Sequence, residues 1–181
     1  MTRLVLCRHA DPGSPDAPAG LAQILRQVPF AAVYTSPLER AVATAKAIAE
    51  GRNLAPALVD DLREIDLGAV DGLAFEEYPS KLQEALLRSP ATAAFPRGES
   101  FADVRARVVP AVDAIVARHE GATVAVVAHA GPTRALLAHW LGIEGVGAFR
   151  TDQRCAAVNV VDWSDGIPFV RLVNGTSADV G

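Results

Sequence analysis

Two histidines, two arginines and one glutamate of this sequence fall where side chains could do chemistry together. Arg8 and His9 follow the short apolar run Leu4-Val5-Leu6-Cys7, and His129 follows the Val-rich run that ends at Ala128. Arg40 lies one turn into a helix opened by Ser36-Pro37-Leu38-Glu39, and Glu64 sits in an irregular stretch after a third apolar segment. A neutral imidazole can attack phosphorus and hold the phosphoryl group covalently, splitting one hard step into two. Guanidinium groups pair in bidentate fashion with phosphate oxygens, and a second imidazole would help stabilise the moving charge. A carboxylic acid would give the departing alkoxide a proton and later take one from water. Taken singly, each residue has a plainer reading: a hydrogen-bonded structural histidine, a surface arginine, a solvated loop acid. Their joint placement argues against five independent accidents.

That placement rests on the elements around them. Leu4–Cys7 and Ala31–Tyr34 read as buried strands, being short apolar runs, Leu58–Asp60 as a third strand, and Thr123–Ala128 as the strongest, Val-rich one. Residues Asp11–Pro18, with Pro12, Pro15 and Pro18, read as a loop, and Gly20–Val28 as a short amphipathic helix. Ser36 is expected as an N-cap with Pro37 at the first helical position and Glu39 closing a capping box, the helix running to about Glu50. Ser100 with Asp103 predicts a helix to about His119, and Pro132 is expected to start another. Ala156–Trp163 and Pro168–Val173 complete the strands, joined by the turn signal Ser164-Asp165-Gly166. Strands alternating with helices predict an α/β fold with a mostly parallel sheet covered on both faces. Ligands bind such sheets beyond the carboxyl ends of the strands, which is where the five residues fall. Arg40 would lean back toward the start of its helix, where the positive end of the dipole also favours an anion.

Composition narrows the class. The 181 residues are 50% hydrophobic and 21% charged with a formal net charge of −4. Such a chain can build its own core and is unlike a disordered segment. Two cysteines, Cys7 and Cys155, exclude a disulfide scaffold and fit a cytoplasmic setting with reduced thiols. The acidic balance is no footprint of a nucleic-acid binder. No run approaches the ~18 apolar residues of a membrane span. The apolar N-terminal segment reaches Arg8 too soon for a signal peptide.

Five segments, in order, carry a family resemblance. Leu4-Val5-Leu6-Cys7-Arg8-His9-Ala10 resembles the strand and Arg-His-Gly motif of the histidine phosphatase superfamily, also called phosphoglycerate mutase-like. Tyr34-Thr35-Ser36-Pro37-Leu38-Glu39-Arg40-Ala41 is similar to its "SPLxRA" segment, and Leu62 to Gly72 to its acid-bearing segment. Pro96-Arg97-Gly98-Glu99-Ser100 resembles its "PxGES" helix start, and Val126–Gly131 with Arg134 its second histidine motif. The resemblance implies a three-layer α/β/α sandwich over residues 1–181, read as one domain with a small lid or insertion at about 70–100. It implies His9 as nucleophile, Glu64 as proton donor, and Arg8, Arg40, His129 and the backbone of Ala130 as the phosphate pocket. It implies no cofactor and no metal. The expected partner is a small phosphorylated substrate, with no nucleic acid, no membrane, and a homodimer kept as an option.

Ala10 and Ala130 stand where the family commonly has glycine, and a methyl there could crowd the phosphate. The loop after Ala10 lacks the family's polar continuation, for which Asp11 and Ser14 are weak substitutes. Arg97 and Glu99 are open between contact with substrate and helix-start chemistry. Phe75, Tyr78 and Phe95 are open between lid lining and local core. Cys7 lacks the Cys-x5-Arg spacing of a tyrosine phosphatase, because the required position is Gly13. Cys155, His119 and His139 read as structural. Two alternatives to a metal-independent phosphomonoesterase remain: a mutase-like phosphotransferase, and a catalytically weak domain that binds a phospholigand.

Overall fold

The computed structural model describes residues 1–175. Its chain order is β1 (Thr2–Arg8), α1 (Ala17–Ile24), β2 (Phe30–Thr35), α2 (Glu39–Ala49) and β3 (Ala57–Leu58). There follow 3-10 turns at Asp60–Leu62, Gly68–Val70 and Phe75–Glu77, then α3 (Ser80–Arg88), α4 (Phe101–Arg118), β4 (Thr123–Ala128) and α5 (Ala130–Trp140). A 3-10 segment, Gly145–Arg150, leads to β5 (Val158–Ser164) and β6 (Ile167–Gly175). The sheet order is β3-β2-β4-β1-β5-β6. β1, β2, β3 and β4 pair in parallel, and β5 and β6 add an antiparallel edge.

The continuous apolar runs exist because both faces of the sheet are covered, and alternate side chains supply the two faces. Leu4, Leu6, Val124 and Val126 join Val104, Val108 and Val112 of α4 and Leu136 of α5. Their neighbours Val5, Cys7, Ala125 and Val127 join Leu21 and Leu25 at α1 and Ala41, Ala45 and Ile48 of α2. This is the expected α/β/α sandwich. Each buried Leu or Val contributes about 1.5–3 kcal/mol relative to exposure, so strands β1 and β4 are fixed by packing on both sides.

Several boundaries differ from expectation. α1 begins inside the proline-rich stretch, at Ala17, because proline is tolerated in the first turn of a helix. α2 begins at Glu39 with Leu38 as its cap, so Ser36 is not the N-cap. β3 is only Ala57–Leu58, and Asp60 starts a 3-10 turn. α5 opens at Ala130, two residues before Pro132. β5 starts at Val158, since Ala156 turns the chain at φ 60. Ser100 does cap α4, and its hydroxyl accepts from Asp103 N–H.

Candidate active site

Register brings the two histidines together. β1 and β4 are adjacent and parallel with Arg8 opposite Ala128, so the next residue on each strand is a histidine at the same sheet edge. His9 N–H donates to the Ala128 carbonyl at 3.0 Å, and Ser36 N–H, just beyond β2, donates to Val127 at 3.0 Å. The rings of His9 and His129 lie 5.1 Å apart, centroid to centroid, tilted by 57°. Both histidines are buried.

His9 has its tautomer set by its surroundings. Its Nδ1 lies 2.8 Å from the Ala10 carbonyl oxygen, which can only accept, so Nδ1 carries the proton. Nε2 then keeps its lone pair and faces the Arg40 Nε–H at 3.2 Å. Burial lowers the His9 pKa below its ordinary 6.5; the Ala10 hydrogen bond opposes this, and Arg40 and Arg8 push further down. His129 is pushed down to about 3, first by burial and then by Arg40, His9 and Arg8. Both rings are therefore neutral near pH 7, and a neutral His9 is the nucleophilic form.

The remaining side chains surround this pair. Arg8 Nη1 donates to the Gln153 carbonyl, while its buried Nε has no partner among the described residues. His129 Nε2 pairs with the Ser36 hydroxyl at 2.8 Å, and its buried Nδ1 likewise has no partner among them. Buried polar nitrogens left unmatched are costly in a resting protein, and the Arg8 Nε–H donor suits a site that receives an anion. Ala130 is the first residue of α5. Gly131 and Thr133 N–H are taken by Glu64 and the His129 carbonyl and Pro132 has none, which leaves the Ala130 N–H without a partner among the described residues and able to meet an anion. Glu64 Oε1 accepts from Ile65 N–H at 2.9 Å and from Gly131 N–H at 3.0 Å, leaving Oε2 to hold or give a proton. A Cβ on Gly131 would lie 2.3 Å from that oxygen, so glycine is required for Glu64 to reach α5.

Arg40 joins two grooves. One, of about 560 Å³, includes Arg63, Glu64, Asp66, Asp71 and Glu99. The other, of about 570 Å³, is lined by Ala10, Asp11, Pro12, Ser14, Pro15 and neighbours, which puts Asp11 and Ser14 beside the site. A cleft of about 600 Å³ holding Asp113, His139, Trp140 and Trp163 is larger, but none of the five sequence-predicted residues lines it. That absence, rather than size, decides which groove is the candidate site.

The structure also bears on the open readings at Ala10, Ala130, Glu99 and the three aromatic residues. Neither Ala10 nor Ala130 has a positive φ, so neither position demands glycine. Glu99 is bound to Arg107 rather than free. Phe75 and Tyr78, and Tyr78 and Phe95, stack edge-to-face with centroids 5.6 and 6.2 Å apart, yet Phe75 is exposed and the other two only half-buried. Cys7 is fully buried with its thiol pushed up to about 12 by burial, hence inert. Cys155 is exposed rather than part of the core. His119 pairs with the Tyr34 hydroxyl at 2.8 Å and His139 lies 3.2 Å from Arg105, both as structural residues.

Four supporting residues had no clear signal in the sequence. The Ser36 hydroxyl, rather than capping α2, bonds His129 Nε2 at 2.8 Å. Thr44 accepts from Ala10 N–H at 3.0 Å and donates to the Arg40 carbonyl at 2.9 Å, tying the loop after His9 to α2; its i+4 spacing from Arg40 is the one hint the sequence offers. Gln153 and Arg107 reach the site from far along the chain, and spacing cannot reveal them.

Known proteins resemble this chain in sequence and in fold. A bifunctional protein of Mycobacterium tuberculosis is 37% identical over 161 residues, covering 87% of this chain and 44% of that protein. The chain thus spans less than half the length of the curated relatives it matches first. Phosphoserine phosphatase 1 of Hydrogenobacter thermophilus is 34% identical over 167 residues, covering 80% of this chain and 78% of that one. Among solved structures, Bacillus stearothermophilus YhfR superposes with a TM-score of 0.85 at 27% identity, over 94% of this chain and 95% of that one. The family model of the histidine phosphatase superfamily, branch 1, matches residues 17–176, a span that holds Arg40, Glu64 and His129 but begins after His9. With most of its length matched in sequence and fold, the chain belongs to the histidine phosphatase superfamily, branch 1.

Proposed function

We propose that the domain hydrolyses small phosphomonoesters through a phosphohistidine at His9. The observation that carries this reading is the His9 Nε2 lone pair held beside Arg40 and 5.1 Å, ring to ring, from His129. In the first step Nε2 bonds to phosphorus as the P–O ester bond breaks, and Glu64 gives its proton to the departing alkoxide. In the second step water attacks phosphorus, Glu64 takes the water proton, the N–P bond breaks and inorganic phosphate leaves. Arg8, Arg40, His129 and the Ala130 N–H would hold the phosphoryl oxygens, whose dianion restores the proton affinity that burial removes from His129. The step calls for no metal and no cofactor. The stretch at about 70–100 would act as the lid over the groove holding Glu64, setting which leaving groups enter.

The relative named phosphoserine phosphatase supports a small alkyl phosphate as substrate. All five groups come from one chain, so the chemistry does not require a homodimer. No helix among the described residues is long and apolar enough to cross a membrane. We read the location as cytoplasmic from Cys7 and Cys155, both free thiols.

The test is a screen of phosphorylated metabolites for inorganic phosphate, run on wild type and His9→Ala. Release by wild type alone supports the hydrolase. Isomerised substrate without released phosphate would point to a mutase. Tight binding with no turnover of any ester would point to a binding domain.

A further inference from the structure

Glu64 lies in a segment with almost no regular structure: a 3-10 turn, extended backbone, then another 3-10 turn. Within the segment, the Ile65 N–H bond to Glu64 Oε1 ties the carboxylate only to the next residue, not to the rest of the fold. One side chain from α4 supplies what the backbone lacks. Arg107 donates Nε and Nη2 to the two oxygens of Glu99 at 2.7 and 2.8 Å. The same guanidinium donates to the backbone carbonyls of Asp61, Arg63 at 2.9 Å and Glu64 at 3.2 Å. Glu99 in turn accepts from Asp66 N–H at 3.0 Å, and Glu99 N–H donates to the Asp66 carbonyl at 2.9 Å. A Cβ on Gly98 would sit 2.2 Å from the Asp66 carbonyl oxygen, so the two segments are pressed together at that point. The side chains of Arg107 and Glu99 are only 14% and 23% exposed, and their pairing keeps the Glu99 carboxyl charged, well below its ordinary range.

We propose that Arg107, anchored by Glu99, is a positioning residue that seats the Glu64 carboxyl on the start of α5. The inference rests on the acid role read for Glu64 above. Glu64 is held at both ends: Arg107 fixes its backbone carbonyl, while Gly131 N–H and Ile65 N–H fix Oε1. Arg107 touches neither reacting atoms nor nucleophile. Its loss leaves His9 and the phosphate pocket in place and lets the acid drift. A drift of this kind costs only where a proton is needed, so its signature is a dependence on the leaving group.

The test compares kcat/KM for p-nitrophenyl phosphate, whose phenolate leaves without help, with that for glycerol phosphate, an alkyl ester. Arg107→Met is expected to lower the alkyl value about 10- to 100-fold and the aryl value by no more than about threefold. In a Glu64→Gln background the same change should do nothing further to the alkyl ester. Arg107→Lys keeps the charge without the fork; it should recover part of the alkyl rate and serves in place of Arg107→Met if melting shows that variant unfolded. Equal losses on both esters, or losses that multiply with Glu64→Gln, would overturn the proposal. Discrimination by Glu64→Gln but not by Arg107→Met would overturn it while leaving Glu64 as the acid. Equal effects of Glu64→Gln itself on both esters would remove the acid reading, and this inference with it.

Discussion

The two halves of the site are positioned by different physics. The half proposed to hold the phosphoryl group, Arg8, His9 and His129, sits at the ends of β1 and β4, and its geometry follows from strand register and from packing on both sheet faces. The half proposed to donate the proton, Glu64, sits on irregular backbone tied by the Arg107 guanidinium and by the Ile65 and Gly131 N–H groups. The first half is stiff because the fold is stiff. The second depends on a few side-chain hydrogen bonds, each worth about 0.5–3 kcal/mol, so it can be disturbed without unfolding the sheet. Substitutions in the two halves should therefore leave different kinetic marks.

The largest effect is expected from His9→Ala, which should remove hydrolysis of aryl and alkyl esters alike, to the limit of a phosphate-release assay. Next, Glu64→Gln should slow alkyl phosphates by about 10²–10⁴-fold and aryl phosphates far less; similar losses on both would erase the contrast between the halves. Arg40→Met should then cost about 10²–10³-fold on both ester types, because it removes charge from the phosphoryl oxygens rather than a proton from the leaving group. A preference for alkyl esters in that loss would move Arg40 to the acid's side.

Two smaller effects sharpen the stiff half. His129 is held neutral in the fold, pushed down to about 3 from an ordinary 6.5. Between those pH values the unfolded chain binds a proton that the folded chain refuses, so stability is complete above about 6.5 and is lost as pH falls toward 3. Thermal melting of His129→Gln across this window should show a shallower decline than wild type; an unchanged decline would mean the ring is not buried as described. Ala10→Gly should leave turnover unchanged and cost about 0.4–1 kcal/mol of stability through the freer unfolded chain. A gain in turnover would show instead that the methyl crowds the phosphate.

The same contrast explains what the sequence made legible. β1 and β4 are buried on both faces, so their apolar runs are unbroken, and the residues following them could be identified at once as His9 and His129. Two-residue β3 has too little pattern to mark its ends. Ser36 shows a subtler limit. Its hydroxyl was equally suited to cap a helix or to bond an imidazole, and only the neighbouring β4 decides for His129. The support under Arg8 was invisible for another reason. The buried Gln153 and Asn159 side chains bond each other at 2.9 Å, which fixes the strap whose carbonyl accepts from Arg8. Gln153 lies in the polar stretch Thr151-Asp152-Gln153-Arg154, where a buried amide carries no periodic signal. Arg107 was hidden similarly, as one of several arginines on α4, distinguished only by what faces it.

Rapid acid-free quenching of the enzyme during turnover, followed by peptide mass spectrometry and 31P NMR, examines the covalent step itself. A phosphoryl group should be found on the His9 ring nitrogen Nε2, labile in acid and stable in base, absent from His9→Ala and longer-lived in Glu64→Gln. Steady phosphate release with no label on that ring, or the label on His129, would contradict nucleophilic attack by His9.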